Sequence, residues 1–119
     1  MIDTKKTIVA IAREDVWKAA LSAGEYTQST IDSTLEEVGF IHCSTPDQTL
    51  DIANRRYSDQ DSLIMLLIDV EKVKSPIKFE GALSGRVGVF PHIYGPLNTD
   101  AVYATKPLIK GSSGKFIQS

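Results

Sequence analysis

The sequence predicts an α+β fold, a compact sheet flanked by two to three helices, and three observations carry that prediction. Helix signals gather in the first half of the chain and strand signals in the second. The run Leu63-Ile64-Met65-Leu66-Leu67-Ile68 is continuously apolar and short, which reads as a strand buried on both faces. Pro and Gly are spread throughout, with no repeat or low-complexity block. The 119 residues therefore read as a single domain, 1–119, with a core over about 6–108.

Residues 7–12 read as a first strand. In the helix that follows, Glu14 and Asp15 put acid near the start and Val16, Trp17, Ala20 and Leu21 share a face. Glu14 and Lys18 make an i,i+4 pair, and Gly24 stands where a left-handed cap belongs. Residues 25–29 are polar and loop-like. A short helix over about 31–38 would bury Ile31, Leu35 and Val38 and stop at Gly39. Phe40-Ile41-His42-Cys43-Ser44 reads as a strand running directly into a helix over 46–57. Thr45 can cap that helix, Pro46 suits its first position and Gln48 completes a capping box. Leu50, Ala53 and Tyr57 stack on one side of it with Ile52 at the margin, and Arg55 and Arg56 occupy the last turn, where positive charge suits the dipole. After strand 63–68, residues 69–74 can make one helical turn and 77–80 a strand. Gly81, Gly85 and Gly88 mark a flexible loop. A last strand over 101–105 precedes Pro107, and 111–119 reads as a loosely held tail.

Composition narrows the function classes. The apolar and charged fractions, 42% and 24%, are ordinary for a soluble domain. A net charge of −2 gives no sequence-independent pull towards nucleic acid or acidic membranes. The lone Cys43 permits no intramolecular disulfide, which fits a reducing cytosol. No secretory signal is apparent, and the longest apolar run falls far short of the roughly 20 residues that span a bilayer. A cytoplasmic protein is expected.

The candidate chemistry lies in two segments. Phe90-Pro91-His92-Ile93-Tyr94-Gly95-Pro96-Leu97 sets a histidine two residues from a tyrosine, between prolines. Proline fixes φ and donates no backbone hydrogen bond, so the segment suits a stiff extended piece at a sheet edge better than a helix or a central strand. Strand alternation then points His92 and Tyr94 the same way. In 40–44 it aims Phe40, His42 and Ser44 to one side and Ile41 and Cys43 to the other. That separates Cys43 from His42 and makes a small buried thiol its expected role. The helix N-terminus just beyond His42 and Ser44 favours an anionic ligand. Glu80 can act as a general base or bind ribose hydroxyls, and in the next helix Asn54 and Arg55 stand together, with Arg55 able to reach an anion. Each has a plainer role too: a hydrogen-bonded core histidine, a strand-end carboxylate, a solvated arginine. His42, His92 and Glu80 could compose a two-His, one-carboxylate metal set, but no ligand spacing such as HExxH is present and no metal is expected. Walker A, GxGxxG and GxSxG patterns are missing from the sequence.

Gly39-Phe40-Ile41-His42-Cys43-Ser44, Gln48, Ala53-Asn54, Leu66-Leu67-Ile68-Asp69, Glu80 and the run from Phe90 to Leu97 resemble the DUF952 domain family over residues 6–108. That family is grouped with the ADP-ribosyltransferases, so the resemblance implies an ADP-ribosyltransferase-like fold whose split, antiparallel or mixed β-sheet holds NAD in a cleft. It also implies residue roles. Ile41-His42-Cys43-Ser44 resembles the first-strand His-Gly-Ser/Thr motif, with His42 on the ribose, Ser44 beside it and Cys43 where the motif has Gly. Tyr94 resembles the stacking tyrosine. Residues 101–105 hold no acid where transferases carry a catalytic Glu, which leaves Glu80 as the substitute.

Two functional readings stand. In the first, the chain is an NAD-utilising enzyme or degenerate enzyme acting in ADP-ribosyl transfer or hydrolysis, with NAD as candidate substrate and no cofactor. His42, Ser44, Asn54, Arg55 and Tyr94 hold a nucleotide-like ligand, and Glu80 and His92 handle a proton or a developing oxocarbenium. In the second, it is a non-catalytic module for a small metabolite or a protein partner. A purely structural role would leave His42 and His92 more than about 15 Å apart, too far for one small ligand.

Overall fold

The computed structural model of the chain describes residues 7–81 and 89–118. Two of the three glycines assigned to a loop, Gly85 and Gly88, lie outside those residues. The middle of the fold is built from strands that are apolar on both sides. β1 (Thr7–Ala12) pairs antiparallel with β4 (Ser62–Asp69), from Thr7 opposite Asp69 to Ala12 opposite Ile64. β4 pairs on its other edge with β8 (Val102–Lys110), and β8 with β9 (Phe116–Gln118), giving the order β1-β4-β8-β9. Ile8, Ala10, Ile64, Leu66 and Ile68 pack on one face of this sheet, and Val9, Ile11, Leu63, Met65 and Leu67 on the other. Leu63 to Ile68 are buried without a break, as their apolar run predicts. Each such side chain contributes about 1.5–3 kcal/mol on burial, which makes β4 the strand least tolerant of truncation.

Helices cover both faces. On the first, α1 (Glu14–Ala23) buries Trp17 and Ala20 and ends at Gly24, whose φ of 84° suits glycine and whose N–H reaches Ala20 O. Glu14 and Lys18 pair at 3.5 Å. Leu21 departs from expectation: it is 52% exposed, because it falls past the edge of the buried stripe that Trp17 and Ala20 define. Residues 25–29 are not all loop. β2 (Glu25–Tyr26) pairs with β7 (Leu97–Asn98), and Tyr26 is buried against Trp17 with ring centroids 6.1 Å apart. The helix expected over 31–38 shrinks to the single turn α2 (Leu35–Val38). A capping box between Thr34 and Glu37 fixes its start, and Gly39 ends it. Ile31 is buried all the same, from the preceding loop.

On the second face lies α3 (Thr49–Arg56), which begins later than Pro46 suggests. Residues 46–48 form a turn instead, with Gln48 N–H on Thr45 O at 3.0 Å and Thr45 N–H on Gln48 Oε1 at 2.9 Å. Half of the expected capping box forms, while the Thr45 hydroxyl goes to Asp47. The tail is tied down rather than loose. The Asn54 side chain accepts from Phe116 N–H at 2.7 Å and donates to Phe116 O at 3.4 Å, and the Phe116 ring is buried. β8 also runs past Pro107, which lies where β8 has only β4 beside it.

A second sheet carries the candidate chemistry. β3 (Ile41–His42), β6 (Val89–Ile93) and β5 (Ile77–Gly81) stand in the order β3-β6-β5, all antiparallel. Val9 and Ser44 exchange N–H···O bonds of 2.8 Å in both directions, so pairing passes from β1 round a curl into this sheet. Despite its proline, β6 is the central strand and not an edge. Pro91 O accepts from Cys43 N–H at 3.1 Å, while the Pro91 nitrogen on the same side has no N–H to return, so the pairing with β3 loses one bond there. The result is an α+β fold with a curled antiparallel sheet and three helices among the described residues. None of these helices is long and apolar enough to cross a membrane.

Candidate functional site

Register decides which side chains meet. His42 is opposite His92 across β3 and β6, Lys78 is opposite His92 across β6 and β5, and Glu80 is opposite Phe90. Paired residues share a face, so His42, Lys78, Glu80, Phe90 and His92 point one way, and Phe40 and Tyr94 follow by alternation. Ile41, Cys43 and Ile93 point the other way, into the first core cluster. The sheet thus has an apolar side that folds and a polar aromatic side that is free for chemistry.

Phe40 organises that second side. Its ring stacks on His92 at 4.1 Å between centroids and 23° between planes, and meets His42 at 4.8 Å and Tyr94 at 5.2 Å. The two imidazoles lie edge to face with centroids 5.4 Å apart, well within reach of one small ligand. Lys78 Nζ sits over the Tyr94 ring, 5.0 Å from its centroid.

Behind the rings is a carboxylate. Glu80 Oε1 accepts from the Tyr94 hydroxyl and lies 2.9 Å from His92 Nδ1. The Tyr94 hydrogen bond first, and the His92 bond second, hold the Glu80 carboxyl below its usual range, while the Tyr94 phenol is pushed above its own by the same carboxylate. An ionised Glu80 only accepts, so His92 Nδ1 carries the proton and donates. The remaining ring nitrogen, Nε2, is then available as a base.

His42 is held differently. Its Nδ1 is 2.9 Å from Ser29 Oγ, and its backbone N–H donates to Ser29 O at 3.0 Å. Burial first, then the neighbours His92 and Arg56, lower its pKa to about 4, so the ring is neutral at pH 7. Ser44 is buried, and its hydroxyl is engaged by Thr49 Oγ1 at 2.9 Å, tying the strand end to the start of α3. Burial pushes the Cys43 thiol far up, consistent with its place in the core and against any nucleophilic role.

A cavity of about 50 Å³ opens beside the imidazoles, between β1, α3 and the small sheet. Val9, Ile11, Cys43, Ile52 and Phe90 give it apolar walls, and Ser29, His42, Ser44, Arg56, Tyr57 and His92 give it polar ones. Of the candidates read from the sequence, His42, Ser44 and His92 reach this cavity, and Glu80 and Tyr94 back it through His92 and Phe40. Asn54 and Arg55 do not reach it. Asn54 is bound to Phe116, and Arg55 Nε pairs with Asp51 at 3.1 Å on the outer side of α3. The cavity also runs along the Ile52–Arg56 side of α3 rather than at its N-terminus, where the sequence places an anion. Sequence reasoning misses Phe40, Ser29, Arg56 and Tyr57 as site residues. Arg56 is legible, being four residues from Ile52 on the same helix face; Ser29 is not, because a loop residue carries no periodicity. Among the described residues no group of three or more His, Cys, Asp or Glu side chains is placed to hold a metal.

Comparison with known proteins gives a family and a fold. The sequence model of the family described as "Protein of unknown function (DUF952)" matches residues 11–105. The crystal structure of protein CC0527 from Caulobacter crescentus is 28% identical, superposes with a TM-score of 0.78 and covers 93% of both chains. A crystal structure of a double mutant of CC0527 has the same identity, TM-score and coverage. The solution structure of CC0527 is 27% identical, with a TM-score of 0.74 over 92% of this chain and 90% of that one. No curated protein sequence matches the chain.

Proposed function

The chain belongs to the DUF952 family, and on that premise we propose that the cleft between His42 and His92 takes NAD or an ADP-ribose-type nucleotide and supports glycosyl (ADP-ribosyl) transfer or hydrolysis. The observation that carries this reading is that His92, bonded to Glu80 behind it at 2.9 Å, shares one cavity with His42. Glu80 fixes the His92 tautomer. Nε2 can then take a proton from an attacking hydroxyl or water, and the carboxylate stabilises the imidazolium that results. His42, neutral and anchored by Ser29, is the ribose ligand, and Ser44 shapes the wall beside it. Tyr94 presents its ring at the rim next to Phe40. The curled antiparallel sheet, with His42 on an inner strand, is compatible with an ADP-ribosyltransferase-like arrangement.

Thermal shift with NAD and ADP-ribose tests the binding step. A ligand at about 100 times its Kd stabilises by about 2.7 kcal/mol, several degrees in a domain of this size. His42→Ala should abolish the shift, and mass spectrometry should detect nicotinamide release that Glu80→Gln removes. If neither nucleotide moves the melting temperature and no product forms, the reading is wrong. A second reading, binding without turnover, draws on the cover over His92, which is 2% exposed beneath Phe40. It expects the shift to survive Glu80→Gln and no product from either protein.

A further inference from the structure

The charge around the cavity is one-sided. The chain carries a net charge of −2, yet no carboxylate lines this cavity among the described residues. Its polar wall holds two imidazoles and the Arg56 guanidinium. Glu80 stands behind His92 with its Oε1 already engaged by His92 and Tyr94. Arg56 makes no ion pair among the described residues, in contrast to Arg55, which is tied to Asp51. Arg56 is thus an exposed cation without an ion-pair partner among the described residues, placed on the wall of a cavity that no described carboxylate lines.

Chemistry narrows what that cavity takes. Two imidazoles, a guanidinium and the hydroxyls of Ser29, Ser44 and Tyr57 around one cavity suit the oxygens of a single phosphate. We propose that this cavity is an oxyanion subsite that takes one phosphate group, with Arg56 as the charged clamp and His42 and the Ser29 side of the wall as its inner boundary. The inference rests on the nucleotide reading above and deepens it: Arg56 takes the phosphate attached to the ribose that His42 holds. Guanidinium–phosphate contacts are frequently bidentate, which suits Arg56 and would not be reproduced by lysine.

His42 gives the subsite a signature. The groups facing it are His92 on β6, with Glu80 and Lys78 behind it on β5, Arg56 at the end of α3 with Tyr57 just after it, and the Cys43 thiol, kept protonated by burial; β1 contributes only Val9 and Ile11. Burial first, and then the neighbours His92 and Arg56, keep His42 neutral. An anion in the cavity offsets those neighbours and lets the ring accept a proton. Anion binding should therefore take up a proton and strengthen as pH falls.

Sulfate is the cleanest probe, because its charge does not change near neutral pH, and inorganic phosphate and ribose 5-phosphate separate a free anion from a sugar phosphate. The His42 ring signals are followed by NMR during each titration. Sulfate should shift them, bind more tightly as pH falls below about 7, and bind roughly tenfold to a hundredfold more weakly to Arg56→Gln. Arg55→Gln should leave binding within about twofold. Equal losses in both arginine variants, or His42 signals unmoved by sulfate and phosphate, would overturn the subsite. The two proposals fail separately. If sulfate and ribose 5-phosphate bind through Arg56 but NAD and ADP-ribose do not, the subsite stands and the nucleotide reading falls. If NAD binds Arg56→Gln as tightly as the wild type, the subsite falls and the nucleotide reading stands.

Discussion

His42 should be visible in the pH dependence of stability. In the unfolded chain its imidazole takes a proton near pH 6.5, whereas in the folded chain burial, His92 and Arg56 delay protonation to about pH 4. Between those values the unfolded state binds more protons, so stability falls as pH drops through the window and levels off below it. Each pH unit of separation corresponds to about 1.4 kcal/mol, which gives about 3.4 kcal/mol for a fully shielded group. His42 is only half-buried, and solvent screening brings the expectation down to about 1–2 kcal/mol. Urea unfolding of the wild type and of His42→Asn, from about pH 7.5 to about pH 4.5, isolates this contribution. Glu80, whose carboxyl is held low, also loses stabilisation on acidification, but it does so in both proteins and cancels in the difference. The wild type should lose about 1–2 kcal/mol more than the variant over that range. Parallel curves, or a His42 ring titrating near pH 6.5 by NMR, would refute the electrostatic account of the cleft.

Two further outcomes test the frame around the site. Asn54→Ala removes both side-chain bonds to Phe116 and should cost about 1–3 kcal/mol; hydrogen exchange at Phe116 and Ile117 should speed up before that of β4 does, and unchanged exchange there would contradict the described docking of β9. Glu80→Gln removes the charge that holds the Tyr94 phenol up, so phenolate absorbance should show one tyrosine titrating lower, towards 10.0. Tyr26 and Tyr57, raised mainly by burial, should stay where they are.

Much of this is readable from the sequence where a single physical rule decides the outcome. Leu63 to Ile68 reads better as a doubly buried strand than as a helix, and Gly24 and Gly39 read as helix ends; both hold. Alternation alone places His42 on the side opposite Cys43, and His92 with Tyr94. Legibility fails where tertiary partners override local signals. Pro91 marks an edge by the usual rule, but it sits in a central strand, where its carbonyl still takes the Cys43 N–H and only the returning bond is missing. Residues 111–119 look like a tail because nothing local shows that Asn54, in a helix some sixty residues earlier, brackets Phe116. The same contact explains why Asn54 reads as a ligand group and is not one. Arg55 and Arg56 share type and last turn, but only Arg56 shares a helix face with Ile52, and the docking of that face on the cavity separates it from Arg55 and its surface pair with Asp51.

The division of β3, β5 and β6 into two opposed faces has a consequence for how such a protein can change. Residues that secure the fold and residues that meet a ligand alternate along the same strands, so substitutions at His42, Lys78, Glu80 or Tyr94 leave Ile41, Ile77 and Ile93 in place underneath. Selection can retune the chemistry of this surface one side chain at a time without first solving a packing problem. Relatives sharing the architecture are thus free to diverge in what they recognise.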